Sequence, residues 1–121
     1  MAGMGSFQYE VQQSPEVDAQ GNKVTTITCH GRLISENSGE MKELVKPLLP
    51  LGGRIVIDLS DVSHIDSSGL GALVALKISA VKQGLVILEF VNVTPRVLDL
   101  LRMTNLTHLV SSEPQRSRSA P

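Results

Sequence analysis

A chain of 121 residues, 41% apolar and 19% charged, suits one small domain with a single buried core. Its formal net charge of -1 offers no basic field for nucleic acid or anionic lipid, and its lone Cys29 excludes an internal disulfide. With no basic-then-apolar leader and no apolar run of about 18 residues, neither a signal peptide nor a membrane span is expected, and a cytoplasmic location is.

The first five residues carry no pattern and are expected to be a flexible N-terminus. Phe7 to Gln13 alternates as a strand does, and Val24 to Leu33 reads as a second strand. Between them, Gln20-Gly21-Asn22 supplies turn chemistry for a hairpin-like connection. Met41, Leu44, Val45, Leu48 and Leu49 recur at helical spacing, and Pro50-Leu51-Gly52-Gly53 ends that helix. Ile55 to Leu59 is almost wholly aliphatic and too short for a helix, so it suits a central strand covered on both faces.

A short polar turn follows, and a second helix runs from about Gly69 to Gln83, closed by Gly84. Its apolar stripe is Leu70, Leu73, Val74, Ile78 and Val81. Leu85 to Val91 is another buried strand. Thr94 and Pro95 open a third helix as cap and first helical residue, with Val97, Leu98 and Leu101 on its core face. Leu109-Val110 is read as a last short strand. Strands first paired and then alternating with helices imply an α/β sheet whose later crossovers are parallel. The domain is placed at residues 6–110. Residues 111–121 are nearly devoid of apolar side chains and are expected to form a disordered tail, in which Arg116 and Arg118 are solvated or touch an acidic partner.

The chemistry concentrates at the junction between the central strand and the second helix. Ser67 and Ser68 are N-cap candidates, because a serine oxygen accepts a free N–H of the first helical turn. A hydroxyl at such a junction is exposed. A phosphate added there would meet free N–H groups and the positive end of the helix, which makes Ser67 a candidate switch as well as a candidate cap. Gly69 and Gly71 also have two readings: room for a partner at the helix start, or close packing of this helix on the sheet. Helix-interior glycine costs up to about 1 kcal/mol relative to alanine, which hints at a steric need at Gly71.

No enzyme is expected. Gly69-Leu70-Gly71 lacks the third glycine of a dinucleotide fingerprint, and Asp66 stands where the first glycine of a Gly-x-Ser-x-Gly elbow around Ser68 would be. His64 lies three residues before Ser67, within reach across a turn, but no oxyanion hole is recognisable. No cofactor and no metal are expected either. Adjacent strand residues Cys29 and His30 point to opposite faces, Cys29 as a small core residue and His30 at a surface or edge position. His108 is isolated. Asp58, Asp61 and Asp66 cluster in sequence as a weak cation site in principle, but Asp58 and Asp61 are read as partners of the turn backbone.

The segment Asp58-Leu59, Val62, Asp66-Ser67-Ser68-Gly69 and Leu70-Gly71 resembles the central motif of the STAS domain, above all that of bacterial anti-sigma-factor antagonists. The likeness extends to Gly31-Arg32-Leu33 upstream and to Val86-Ile87-Leu88 and Val97-Leu98-Leu101 downstream, roughly Phe7 to Val110. The resemblance implies a STAS-type sandwich, a mixed sheet of about four to five strands with helices mainly on one face. It implies a partner that is both an anti-sigma factor and an ATP-dependent serine kinase, bound by the unphosphorylated form and released once Ser67 is phosphorylated. By residue matching, the partner-binding positions are Gly31, Arg32, Leu33, Asp66, Ser67, Ser68, Gly69, Leu70 and Gly71. One position departs from the pattern. Many antagonists carry an aspartate after Gly-x-Leu, where this chain has Ile34, followed by Ser35 and Glu36. Either Glu36 substitutes at an offset, or Ile34 is an apolar contact for a different partner. The alternatives are a STAS module that serves as a structural subunit of a signalling scaffold or a lipid-transport complex, or one that senses a small molecule. Neither a basic patch nor a phosphate loop supports the latter.

Overall fold

The computed structural model describes residues 7–110, so the expectations for residues 1–5 and for the tail with Arg116 and Arg118 lie outside the described residues. Strands β1 (Phe7–Gln13), β2 (Val24–Leu33), β3 (Gly53–Ile65) and β4 (Val86–Val91) form one sheet in that spatial order. The pairing of β1 with β2 is antiparallel, while β2–β3 and β3–β4 are parallel. Helices α1 (Ser38–Val45), α2 (Ser67–Gln83) and α3 (Pro95–Met103) supply the connections and the cover. This is the mixed α/β sheet that the order of elements implies.

One face of the sheet is the core. Ile27 and Cys29 of β2, Ile55, Ile57 and Leu59 of β3, and Val86, Leu88 and Phe90 of β4 are buried there under Met41, Val45, Leu73 and Leu76. Burial pushes the Cys29 thiol up to about 12, with the charge of Asp58 adding to the shift, as suits an inert core residue. The alternate residues Gln8, Glu10, Thr26, Thr28, His30, Val56, Asp58 and Glu89 belong to the opposite face, and none of them is buried.

Three elements differ from the sequence reading. The central strand does not stop at Leu59 but runs on to Ile65, so the expected polar turn is strand. Between Thr28 and His30, and again between Gly31 and Arg32, β3 advances one residue more than β2. These two bulges break the alternation that would have marked residues 60–65 as strand, while Val62 and Ile65 still reach the core. The first helix divides after Val45, and Lys46–Leu51 forms a 3-10 turn. Pro47 opens that turn and Pro50 lies inside it, so the α-helical ladder lacks their N–H groups. In α2 the buried residues include Leu70, Leu73, Leu76 and Ala80, whereas Ile78 and Val81 of the expected stripe are 51% and 69% exposed. A helix apolar around most of its circumference does not reveal its core face by spacing. At the C-terminal end, Thr107–Leu109 is a 3-10 turn, and the expected last strand is reduced to a single bridge from Val110 to Phe90. As expected, Thr94 caps α3, its hydroxyl accepting from the Val97 N–H at 3.3 Å.

Two ionic clusters tie segments far apart in sequence. Arg54 donates to Asp18 at 2.8 Å and to Glu89 at 2.6 Å, joining the β1–β2 loop to β3 and β4. Asp18 also organises that loop by accepting the N–H groups of Asn22 and Gln20, and its carboxyl is lowered to about 2, first by the Asn22 N–H. His30 stands on the surface face of the sheet, as expected, on the inner strand β2, with Asp61 of β3 at 2.6 Å and Glu10 of β1 at 3.3 Å. The Asp61 hydrogen bond, then the Glu10 one, raise the His30 pKa above its ordinary 6.5.

The entry of α2 is tighter still. A Cβ added at Gly69 would lie 2.1 Å from the Leu33 carbonyl oxygen, whereas one added at Gly71 would meet nothing within 4 Å. The fold therefore has a steric need for glycine at position 69 and none at 71.

Two measurements test these contacts. In chemical denaturation, Gly69→Ala is expected to lose about 1–3 kcal/mol or more, because a backbone carbonyl cannot rotate away, while Gly71→Ala gains up to about 1 kcal/mol. Equal effects would show that the close approach at Gly69 is not real. Because the folded-state pKa of His30 is raised, its contribution is complete below about 6.5 and disappears as pH rises through the folded value. The melting-temperature gap between the parent and His30→Gln is therefore expected to be widest at mildly acidic pH and to narrow in alkali; a gap that widens with pH contradicts the assignment.

Candidate partner-docking site

Asp66 closes β3 and opens α2. Its backbone N–H donates to the Leu33 carbonyl at 3.2 Å, holding the strand end beside β2. One carboxylate oxygen accepts the Gly69 N–H at 2.9 Å and the other accepts the Ser35 N–H at 3.0 Å. A single side chain thus caps the helix and fastens the loop after β2 to it. The Gly69 N–H, followed by those of Ser35 and Ser68 and the charge of His64, holds the Asp66 carboxyl below the usual carboxylate range against partial desolvation.

This corrects the expected cap. Asp66, not Ser67 or Ser68, fills that role, because the longer strand delivers position 66 in the extended conformation that an N-cap needs. Ser67 and Ser68 stand in the first turn, both exposed. Among the described residues, the Ser67 hydroxyl has no hydrogen-bond partner, His64 included. The anion-friendly helix end is also different from the expectation, since the Gly69 N–H is already taken by a carboxylate.

The loop after β2 is organised by a residue that the sequence reading passed over. Asn37 is buried; its side-chain amide donates to the Arg32 carbonyl at 3.0 Å and accepts from the Ile34 N–H at 2.9 Å. The Asn37 and Ser38 N–H groups return to the Ile34 carbonyl. An asparagine just ahead of a helix is a known loop-forming signal and could have been singled out on that ground. The Ile34 side chain is half-buried and Glu36 is exposed.

Among the sequence-matched positions, Arg32, Ser67, Ser68 and Gly71 are exposed, Gly31 and Asp66 are partly so, and Leu33, Gly69 and Leu70 are buried. The first group offers contact atoms. The buried three shape the surface from beneath. Arg32 pairs in register with His64, which brings β2 and β3 to one edge with the α2 start. The three aspartates separate: Asp58 takes the Ser60 N–H and the Asn92 amide, Asp61 takes His30 rather than turn backbone, and Asp66 takes Gly69 and Ser35. His108 is exposed on the last 3-10 turn.

No helix among the described residues is long and apolar enough to cross a membrane. The chain is similar in fold to the anti-sigma factor antagonist SpoIIAA in its unphosphorylated form, with TM-score 0.67 and 14% identity over 89% of this chain and 91% of that one. A candidate anti-sigma factor antagonist of Thermotoga maritima matches with TM-score 0.67 and 28% identity over 87% of this chain and 83% of that one. The fold also matches part of the much larger SLC26A9, at TM-score 0.59 and 20% identity, covering 70% of this chain and 16% of that one. The STAS domain family matches residues 9–118, nearly the whole sequence, and the chain belongs to that family.

Proposed function

We propose that this STAS protein is an anti-sigma-factor antagonist that works by partner switching. Unphosphorylated, it binds an anti-sigma factor that is also a serine kinase, through the start of α2 and the loop after β2. In the kinase step, the Ser67 oxygen takes the terminal phosphoryl group of ATP, ADP leaves, and the hydroxyl proton passes to a base on the partner. The phosphorylated form then lets go. This reading places the protein in the cytoplasm, with the sigma factor freed while the partner is held.

One observation carries the proposal: the Ser67 hydroxyl is exposed on the first turn of α2 and is spared the capping task by Asp66. Two features explain why a phosphate there would act on binding. It carries about 1.5 to 2 negative charges and stands beside the ionised Asp66, so a packed interface would take on both bulk and like-charge repulsion. The Gly69 N–H, which would otherwise receive the phosphate, is already bonded to Asp66. The cost therefore falls on the interface, while the core beneath Ser67 is undisturbed.

Peptide mapping of the protein from its native cell is the test, beside Ser67→Ala and Ser68→Ala. One phosphate is expected, lost in Ser67→Ala and kept in Ser68→Ala. The phosphorylated form is expected to bind its partner about a hundredfold more weakly, equivalent to roughly 3 kcal/mol. Phosphate on Ser68, or none under any growth condition with a partner held throughout, would replace the switch with a structural-subunit role.

A further inference from the structure

The docking face described above does not end at Ser67. The end of β3 and one side of α3 bound an open groove of about 350 Å³, lined by His64, Ile65, Arg96, Val97, Leu100 and Met103. Its floor is apolar: Ile65 and Val97 are buried and Leu100 is half-buried. Met103 stands at the rim with 82% of its surface exposed, an adaptable side chain with little of its own fold to cover it. The groove adjoins the α2 start directly, since Ile65 is the residue before the Asp66 cap.

Its one unmatched formal charge is that of Arg96. Asp99, the acid on the groove wall, is matched by Arg102 at 3.3 Å. The side chain of Arg96, on the same wall, has no ion pair or hydrogen bond among the described residues. On the side nearer Ser67, the charges of Asp66 and of the exposed Glu36 offset that of Arg32, so the unmatched charge is the one in the groove, at Arg96.

We propose that the groove extends the docking face and receives an acidic, aliphatic segment of the protein partner. An aliphatic side chain fills the floor over Ile65, Val97 and Leu100, and a neighbouring carboxylate is answered by Arg96. A basic segment would bring like charge against Arg96. The complementarity sets the choice of partner and the rate of encounter, as charges at an interface rim do. The inference rests on the reading of this face as a protein-docking surface. It does not depend on whether Ser67 is modified.

The test uses the full, unphosphorylated chain labelled with nitrogen-15 and two synthetic peptides, one containing Leu-Asp-Leu-Glu and one with lysines in place of both acids. The acidic peptide is expected to move the amide signals of His64, Ile65, Val97, Leu100 and Met103, and to bind more weakly as salt is raised. Arg96 is exposed in the first turn of α3, where a glutamate is favourable to the helix, so Arg96→Glu is expected to fold normally. In that variant the acidic peptide loses about tenfold in affinity and the lysine peptide gains. Equal binding of both peptides, an unchanged affinity in Arg96→Glu, perturbations elsewhere on the surface, or no binding of either peptide would overturn the proposal. A phosphate mapped to Ser67 together with a silent groove would sink this inference and leave the switch standing.

Discussion

The arrangement of this surface depends on one carboxylate. Asp66 accepts the Gly69 N–H with one oxygen and the Ser35 N–H with the other, and so joins the start of α2 to the loop after β2. The closeness of that junction is enforced at Gly69, where a side chain would collide with the Leu33 carbonyl. Cap, loop and close approach are mutually dependent. Without the glycine, the helix would stand off; without the carboxylate, the loop would keep the bonds of Asn37 and Ser38 but lose its Ser35 tie to the start of α2.

The same carboxylate determines what its neighbour is free to do. Serine at a helix start ordinarily spends its hydroxyl on a backbone N–H. Here that work falls to position 66, and Ser67 presents an uncommitted oxygen to solution on a rigid element. A phosphate added there would have the like charge of Asp66 beside it.

Elsewhere, ion pairs do what apolar packing does not reach. The side of the sheet away from α1 and α2 has no buried residue, and β1 is buried only at Phe7. His30 links three strands across that open side through Glu10 and Asp61, while Arg54 binds the β1–β2 loop to β4. The His30–Asp61 contact joins the two strands whose ends carry Arg32 and His64 in register.

The amino-acid sequence by itself determined the order of the four strands and three helices, the bounds of β1 and β2 and the Thr94 cap, because these rest on local pattern: alternation, helical spacing and turn chemistry. Tertiary structure decided the rest. The extension of β3 to Ile65 needs the hydrogen bonds of β2 across two bulges, which no period within residues 60–65 records. The core face of α2 was set by what the sheet covers, since Ile78 and Leu76 are alike in polarity and differ only in where the helix lies. The choice of Asp66 over Ser67 as cap followed from where the strand ends, and the Ser35 N–H reached that carboxylate only because two segments 31 residues apart meet. Local chemistry proposes the groups; the packing of distant segments decides which of them are occupied and which are left free to act.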